Sequence, residues 1–229
     1  MEHLDWARDR VGRLLAAGGA ERLVAVSAAS ADFRAAIGGR SRALSSPEDR
    51  ALMRAWREAS DVLLVGSRTL TVERYGSLVG DGSPPPVVTI SRDGRLDLGR
   101  ILRAKQPPPL TVYARVPRPA AAPVAGWRTW PEVSVGAVVE DLRAGGARVI
   151  VCEGGPALLA RALEGGVVTD LSLTLAPLAV GAGPPLVAAG RAGPQAVRLL
   201  DAAVAGRHVF AHYALEPAPS AQARKSTTT

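Results

Sequence analysis

A glutamate closing an apolar run, followed at once by two glycines and a proline, is the part of this sequence best equipped for chemistry. Arg148 to Leu163 reads RVIVCEGGPALLARAL. Val149 to Cys152 suit a strand buried on both faces of a parallel sheet. Pro156 suits a first helical position, where its missing N–H costs nothing, and Leu158, Leu159, Ala162 and Leu163 then share one helical face. Gly154 and Gly155 allow a phosphate to approach the helix start, where open N–H groups and the helix dipole attract anions. Glu153 stands at the mouth of that turn with a carboxylate able to handle a proton. Two more predicted strand ends have matching equipment. Asp61 to Gly66 runs into Ser67-Arg68-Thr69, and Val87 to Ser91 runs into Arg92. Together the three ends offer glycines for close approach, hydroxyls for phosphate oxygens and arginines for charge, as an anionic dinucleotide requires.

Strands and helices must hold these ends together. The pattern predicts helices over Asp5 to Ala17, from a Ser45-Ser46-Pro47-Glu48-Asp49 start through Ala59, over Val138 to Ala144 and from Pro156 onward. The first of these is expected outside the core. Strands are expected from Leu23, over Asp61 to Gly66, Val87 to Ser91, Leu110 to Ala114 and Val149 to Cys152, with a short one at Val133 to Val135. Leu171, Leu173 and Leu175 alternate with Ser172 and Thr174, which predicts a half-buried strand. Ala196 to Leu200 and His208 to Leu215 read as an antiparallel edge pair. The resulting division is an N-terminal helical extension over 1–20, one α/β domain over 21–215 and a disordered tail over 216–229. In such sheets ligands bind beyond the carboxyl ends of the strands.

Composition narrows the partners. The 229 residues carry a net charge of +7, and only Lys105 and Lys225 are lysines among 28 basic residues. The arginines are dispersed and aromatics make up 4% of the chain, which disfavours nucleic acid and favours an anionic small molecule. No apolar run reaches membrane-spanning length, no secretory signal opens the chain, and Cys152 is the lone cysteine; these features predict a cytoplasmic protein. Cys152 reads as core filler. His208 and His212 share one side of a strand, but no third ligand accompanies them, so they read as ordinary edge-strand histidines and no metal is expected.

With these features in view, the chain resembles the reductase domain of bacterial riboflavin biosynthesis, which has a dihydrofolate-reductase-like fold. The similarity covers roughly Leu23 to Leu215. It rests on VCEGGPALLARALEGGVVTDLSLTLAPLAVGAG, similar to the family's E-G-G-P-x-L segment and the V-D-E-L-x-L-x-x-x-P-x-x-x-G after it, and on GRSRALSSPEDRALMRAWREASDVLLVGSRTL. No zinc deaminase signature accompanies it. The resemblance implies a three-layer αβα sandwich with a mostly parallel sheet and an antiparallel edge. It further implies NADPH as cofactor, reduction of the opened ribosylamino group of a phosphorylated pyrimidine, and a homodimer.

By position, the resemblance places Thr69 and Glu73 on the cofactor side and Gly155, Pro156, Ala157 and Leu158 at the dinucleotide phosphates. Ser41 and Arg57 match substrate contacts, with Arg57 facing a phosphate, and Glu153 matches the carboxylate beside the substrate. Asp32 matches the aspartate of the family's S-L-D-G. Either Glu153 or Asp32 could set the proton donor. Arg68 and Arg92 are candidates for the 2′-phosphate of NADPH, and Tyr75 for a substrate wall. Three substrate-side positions depart from the family: Val26 replaces a lysine or asparagine, Phe33 a glycine and Ala43 an aromatic. The expectation is therefore an NADPH-dependent reductase. The alternatives are a reductase of a pterin, dihydrofolate or specialised metabolite, or a non-catalytic nucleotide-binding relative.

Overall fold

Apolar runs become strands when helices cover both faces of their sheet, and alternate residues of the first long strand here enter two different cores. The computed structural model describes residues 2–73, 78–79, 82–120, 122, 124–188 and 194–216. Tyr75 and the tail beyond Glu216 lie outside the described residues. The elements are α1 (Glu2–Ala16), β1 (Arg22–Ser30), α2 (Pro47–Glu58), β2 (Val62–Gly66), α3 (Ser67–Val72), β3 (Val87–Ser91), α4 (Gly99–Leu102), β4 (Leu110–Ala114), β5 (Gly126–Thr129), α5 (Val135–Ala144), β6 (Val149–Gly154), α6 (Pro156–Glu164), β7 (Asp170–Ala176), β8 (Val197–Ala205) and β9 (His208–Leu215). A 3₁₀ turn spans Arg42–Leu44.

Among the described residues the strands form one sheet in the order β5-β4-β3-β2-β6-β1-β7-β9-β8. All pairings from β5 across to β7 are parallel, and β9 and β8 add an antiparallel edge. Val24 and Val26 of β1 pack with Val11 of α1, Leu52 and Trp56 of α2, Leu70 of α3 and Ile101 of α4. Leu23 and Ala25 point to the opposite face, with Val138 and Val139 of α5 and Leu158, Leu159 and Ala162 of α6. The three-layer αβα sandwich with a mostly parallel sheet is therefore the observed architecture. No helix among the described residues is long and apolar enough to cross a membrane.

Four expectations need correction. The N-terminal helix belongs to the core: Ala7, Val11 and Leu14 fall at helical spacing and are buried against α2 and the sheet. Its Arg10, also buried, donates to the Phe210 carbonyl and pairs with Asp201. No strand forms at Val133 to Val135, because the Ser134 side chain accepts from Ala137 N and starts α5 at Val135. The fifth strand is instead Gly126–Thr129, a half-exposed edge that carries no apolar run to mark it.

The two remaining corrections concern β7 and β9. Ser172 and Thr174 are as buried as Leu173, so β7 is covered on both faces. Trp56 explains this in part, since its fully buried indole donates to Ser172 Oγ at 3.1 Å. His212 is no edge residue, because β9 lies between β7 and β8. Its ring stacks on Trp56 and its Nε2 meets Asp170, which also holds Arg22 in a two-pronged ion pair. Despite burial, the hydrogen bonds from His212, Arg22 and Thr169 bring the Asp170 carboxyl down to about 2.

Candidate active site

β6 fits between β1 and β2, where the strand order reverses direction, and this is where an open α/β sheet makes a crevice beyond its strand ends. The register between β2 and β6 slips there. Leu64 pairs with Cys152 but Val65 pairs with Gly154, leaving Glu153 as the extra residue of a bulge. A bulge re-aims the side chain it carries. Glu153 is directed to α2, and its two carboxylate oxygens accept from Arg57 Nε at 2.5 Å and Nη2 at 2.8 Å. The Glu153 side chain is 2% exposed and that of Arg57 17%. Arg57 also donates to the Leu78 carbonyl at 3.4 Å. Two-pronged charge-assisted bonds of this kind are strong and fix orientation. With Arg8, Arg54, Ser60 and Ser83, Arg57 also lines a cleft of about 460 Å³.

Beyond Glu153 the chain passes close to itself. A Cβ on Gly66 would lie 2.7 Å from the Gly154 carbonyl oxygen, and one on Gly155 would lie 2.8 Å from Thr69 Oγ1. Gly155 also has φ of +78°, in the region that favours glycine. Thr69 Oγ1 donates to the Gly154 carbonyl at 3.3 Å, so the end of β2 and the end of β6 are joined directly. The Gly155 carbonyl then accepts from Leu158 and Leu159 N as α6 begins with Pro156 at its first position. Ala157 is exposed in that first turn, where a helix leaves amides without an intrahelical acceptor. Ser67 and Thr69, half-buried, open α3 alongside, and Arg68 and Arg92 are exposed beyond β2 and β3.

Other expected site residues are tied into the scaffold. Glu73 Oε1 accepts from both the Ser41 amide and Ser41 Oγ at 2.9 Å, which joins the segment after β1 to the end of α3. Ser91 Oγ accepts from Gly94 N and donates to Asp93, closing the turn after β3. Asp32 is a clasp between the ends of β1 and β7. Its carboxylate accepts from Ser30 Oγ at 2.6 Å, Val180 N at 3.0 Å and Gly181 N at 2.7 Å. Those bonds hold it well below the usual carboxylate range, so it stays ionised. The next residue, Phe33, has φ of +57°, the only positive φ outside glycine among the described residues. For a side chain of that size the left-handed region costs about 1–2 kcal/mol.

The structure thus brings Glu153, Arg57, Gly154, Gly155, Thr69 and Gly66 together, with Ser41 and Glu73 paired nearby. The Arg57–Glu153 pair joins residues 96 positions apart. Its one sequence signal was an arginine late in an amphipathic helix facing an acid at a strand end.

Residues 22–209 match the model of the RibD C-terminal domain. The chain belongs to that family. No curated protein matches the sequence. Among solved structures, this RibD C-terminal domain is similar to a pyrimidine reductase-like protein from Corynebacterium diphtheriae, with 19% identity over 86% of this chain and 93% of that one and a TM-score of 0.73. It is also similar to the Saccharomyces cerevisiae riboflavin biosynthesis reductase, with 18% identity, 90% and 99% coverage and a TM-score of 0.68. A third match is the Thermotoga maritima diaminohydroxyphosphoribosylaminopyrimidine deaminase/5-amino-6-(5-phosphoribosylamino)uracil reductase, with 14% identity and a TM-score of 0.72; it covers 85% of this chain and 56% of that one. The fold of the RibD C-terminal domain is common to all three.

Proposed function

We propose that this chain is an NADPH-dependent reductase acting on an opened ribosylamino-pyrimidine, as 5-amino-6-(5-phosphoribosylamino)uracil reductases do, or on a closely related C=N or C=O compound. The observation that carries this reading is the end of β6, where a carboxylate gripped by arginine is followed at once by a glycine-lined helix start. The residues present fit a nicotinamide dinucleotide. In the turn of Gly154, Gly155, Pro156, Ala157 and Leu158 the two glycines leave room for close approach and the exposed Ala157 lies in the first turn of α6, Ser67 and Thr69 add hydroxyls, and Arg68 and Arg92 supply exposed charge suited to a 2′-phosphate. When bound, the cofactor supplies the hydride.

The chain's own part is positioning and proton handling. The Gly66–Gly154–Thr69 junction fixes the two strand ends, so the helix start presents its donors without rearrangement. Glu153 orients Arg57 at the rim of a cleft in which Arg8 and Arg54 both bond Glu58, and Arg57 is the arginine assigned to a substrate phosphate. Both carboxylates are committed, Asp32 to its clasp and Glu153 to Arg57, and proton handling, directly or through water, is assigned to Glu153 for its place beside the glycine turn. A homodimer belongs to the proposal: β8 is a sheet edge exposing Leu199 and Val204, an apolar strand suited to pairing with its copy. Sedimentation is expected to show a dimer that Leu199→Glu dissociates; a wild-type monomer would remove that part.

Calorimetry is expected to show NADPH binding, and the chain is expected to oxidise NADPH with the ribosylamino-pyrimidine and to rescue a reductase-deficient riboflavin auxotroph. No binding of NADPH would sink the reading. A second reading, reduction of a pterin, dihydrofolate or specialised metabolite, is favoured by one observation. Val26 is buried in the core under α1 and α2, so no polar group reaches the substrate from that position. It predicts NADPH oxidation with one of those compounds and no rescue. Binding without oxidation by any of them would point to a non-catalytic relative.

A further inference from the structure

Arg57 is engaged on two sides. Its Nε and Nη2 hold the two carboxylate oxygens of Glu153, and the same residue lines the cleft with Arg8, Arg54, Glu58, Ser60 and Ser83. The Glu153 side chain is 2% exposed and that of Arg57 17%, so an anion entering the cleft meets Arg57 and acts on Glu153 through it. Arg8 and Arg54 share the one carboxylate of Glu58, which gives that trio a net positive charge. A guanidinium forked onto a carboxylate keeps it ionised. Burial acts in the opposite sense, because a desolvated carboxylate that loses its cation favours the neutral form, and a second anion nearby favours it further. Which anion Arg57 serves therefore decides whether Glu153 can carry a proton.

We infer that Arg57 is an anion-operated switch: a tetrahedral dianion in the cleft, brought by a phosphorylated substrate, draws Arg57 from Glu153, and Glu153 takes up a proton in exchange. The purpose of the switch rests on the proposed reductase reading. Reduction of a C=N group needs a hydride at carbon, which NADPH supplies, and a proton at nitrogen, where the π pair goes. Glu153 gives up the proton and is left ionised for Arg57 to grip again. A substrate without a phosphate leaves Arg57 on Glu153, so the device selects for phosphorylated molecules at the chemical step rather than at binding alone. The other titratable groups around the pair are occupied. Bonds from Arg8 and Arg54 hold Glu58 below the usual carboxylate range. Burial pushes the Cys152 thiol up to about 12. Glu73, at the end of α3, accepts from Ser41, and Asp61, before β2, accepts from the Arg148 and Val149 amides.

Sulfate is the probe, because it stays a dianion throughout the range in which carboxylates titrate. Calorimetry of the protein in buffers of different ionisation enthalpy is expected to show proton uptake with each sulfate bound. Sulfate affinity is expected to rise as pH falls, by up to about tenfold per pH unit, the limit for a single linked proton. Infrared difference spectra are expected to gain the band of a protonated carboxyl group when sulfate is added. Glu153→Gln is expected to bind sulfate more tightly than the wild type, because the competing anion is gone, and to show neither the uptake nor the band. Arg57→Lys keeps a cation but cannot fork the carboxylate, and is expected to take up less proton. Arg8→Gln, at an exposed position, is expected to weaken sulfate a few-fold with the proton uptake retained. With NADPH present, sulfate is expected to raise kcat on the ribosylamino-pyrimidine that lacks its phosphate, in the wild type and not in Glu153→Gln.

No sulfate binding, binding without proton uptake, or uptake that persists in Glu153→Gln would each overturn the switch. So would an unchanged kcat with sulfate in protein that reduces the phosphorylated substrate. Failure of NADPH to bind would instead remove the reductase reading and leave sulfate-linked proton uptake standing, so the two failures are told apart.

Discussion

Two buried arginine–carboxylate pairs stand at opposite ends of the same sheet. At the amino ends of β1 and β7, Arg22 grips Asp170 with two bonds, and His212 and Thr169 complete the acid's partners. At the carboxyl end of β6, Arg57 grips Glu153 in the same two-pronged manner. The difference lies in what surrounds each pair. Arg22 and Asp170 are sealed, at 4% and 2% exposed, whereas Arg57 borders an arginine-lined cleft and Glu153 sits in a bulge beside the glycine turn. Both carboxylates are buried, so the contrast lies in the arginines: Arg22 is sealed at the closed end of the sheet, whereas Arg57 is 17% exposed and borders a cleft.

The contrast can be broken from either end. Asp170→Ala strands a buried guanidinium and is expected to cost about 3–5 kcal/mol of stability, read by chemical denaturation, with NADPH affinity per folded molecule unchanged. Glu153→Gln is expected to do the reverse, lowering kcat by about 100-fold or more while moving the unfolding midpoint much less, because Arg57 reaches the cleft. Gly155→Ala meets both a positive φ and Thr69, and is expected to lose about 1–2 kcal/mol together with NADPH affinity, measured by calorimetry. Arg68→Ala or Arg92→Ala, at exposed positions, is expected to weaken NADPH only a few-fold and to leave NADH unaffected.

Acid sharpens the same comparison. The folded value of Asp170, about 2, lies below the ordinary aspartate value. Its contribution to stability is therefore complete above about pH 4 and fades as pH falls toward about 2. Asp49 works against it, since burial pushes that carboxyl up. Subtracting the acid titration of Asp170→Asn from that of the wild type isolates the Asp170 share, which is expected to vanish at the acid end.

Features were legible in the sequence to the extent that neighbouring residues decide them. The branched runs at Val62 to Val65 and Val149 to Cys152, the Ser46 cap with Pro47 behind it, and the Gly-Gly-Pro turn are local in this sense, and each lies where its pattern puts it. The outcome was different where distant residues decide. Ser172 and Thr174 alternate like a solvent face, but they are covered, with Trp56 of α2 supplying Ser172 a partner. Gly126 to Thr129 is a strand because β4 is available to pair with it. Asp32 looked equally suited to a turn or to catalysis, and the amides that resolve it belong to residues nearly 150 positions later.

The place of β6 in the sheet has a consequence for how the molecule is made. β1 and β2 are separated by a strand that leaves the ribosome more than eighty residues after β2 does. Until Val149 to Gly154 emerge, both flanking strands present unpaired edges, which are the surfaces through which nascent chains stick to one another. The strand that joins β1 to β2 also delivers Glu153, and β7, β9 and β8 then complete the sheet on the far side of β1. The junction of Gly66, Thr69 and Gly154 therefore cannot form in chains that end before β6.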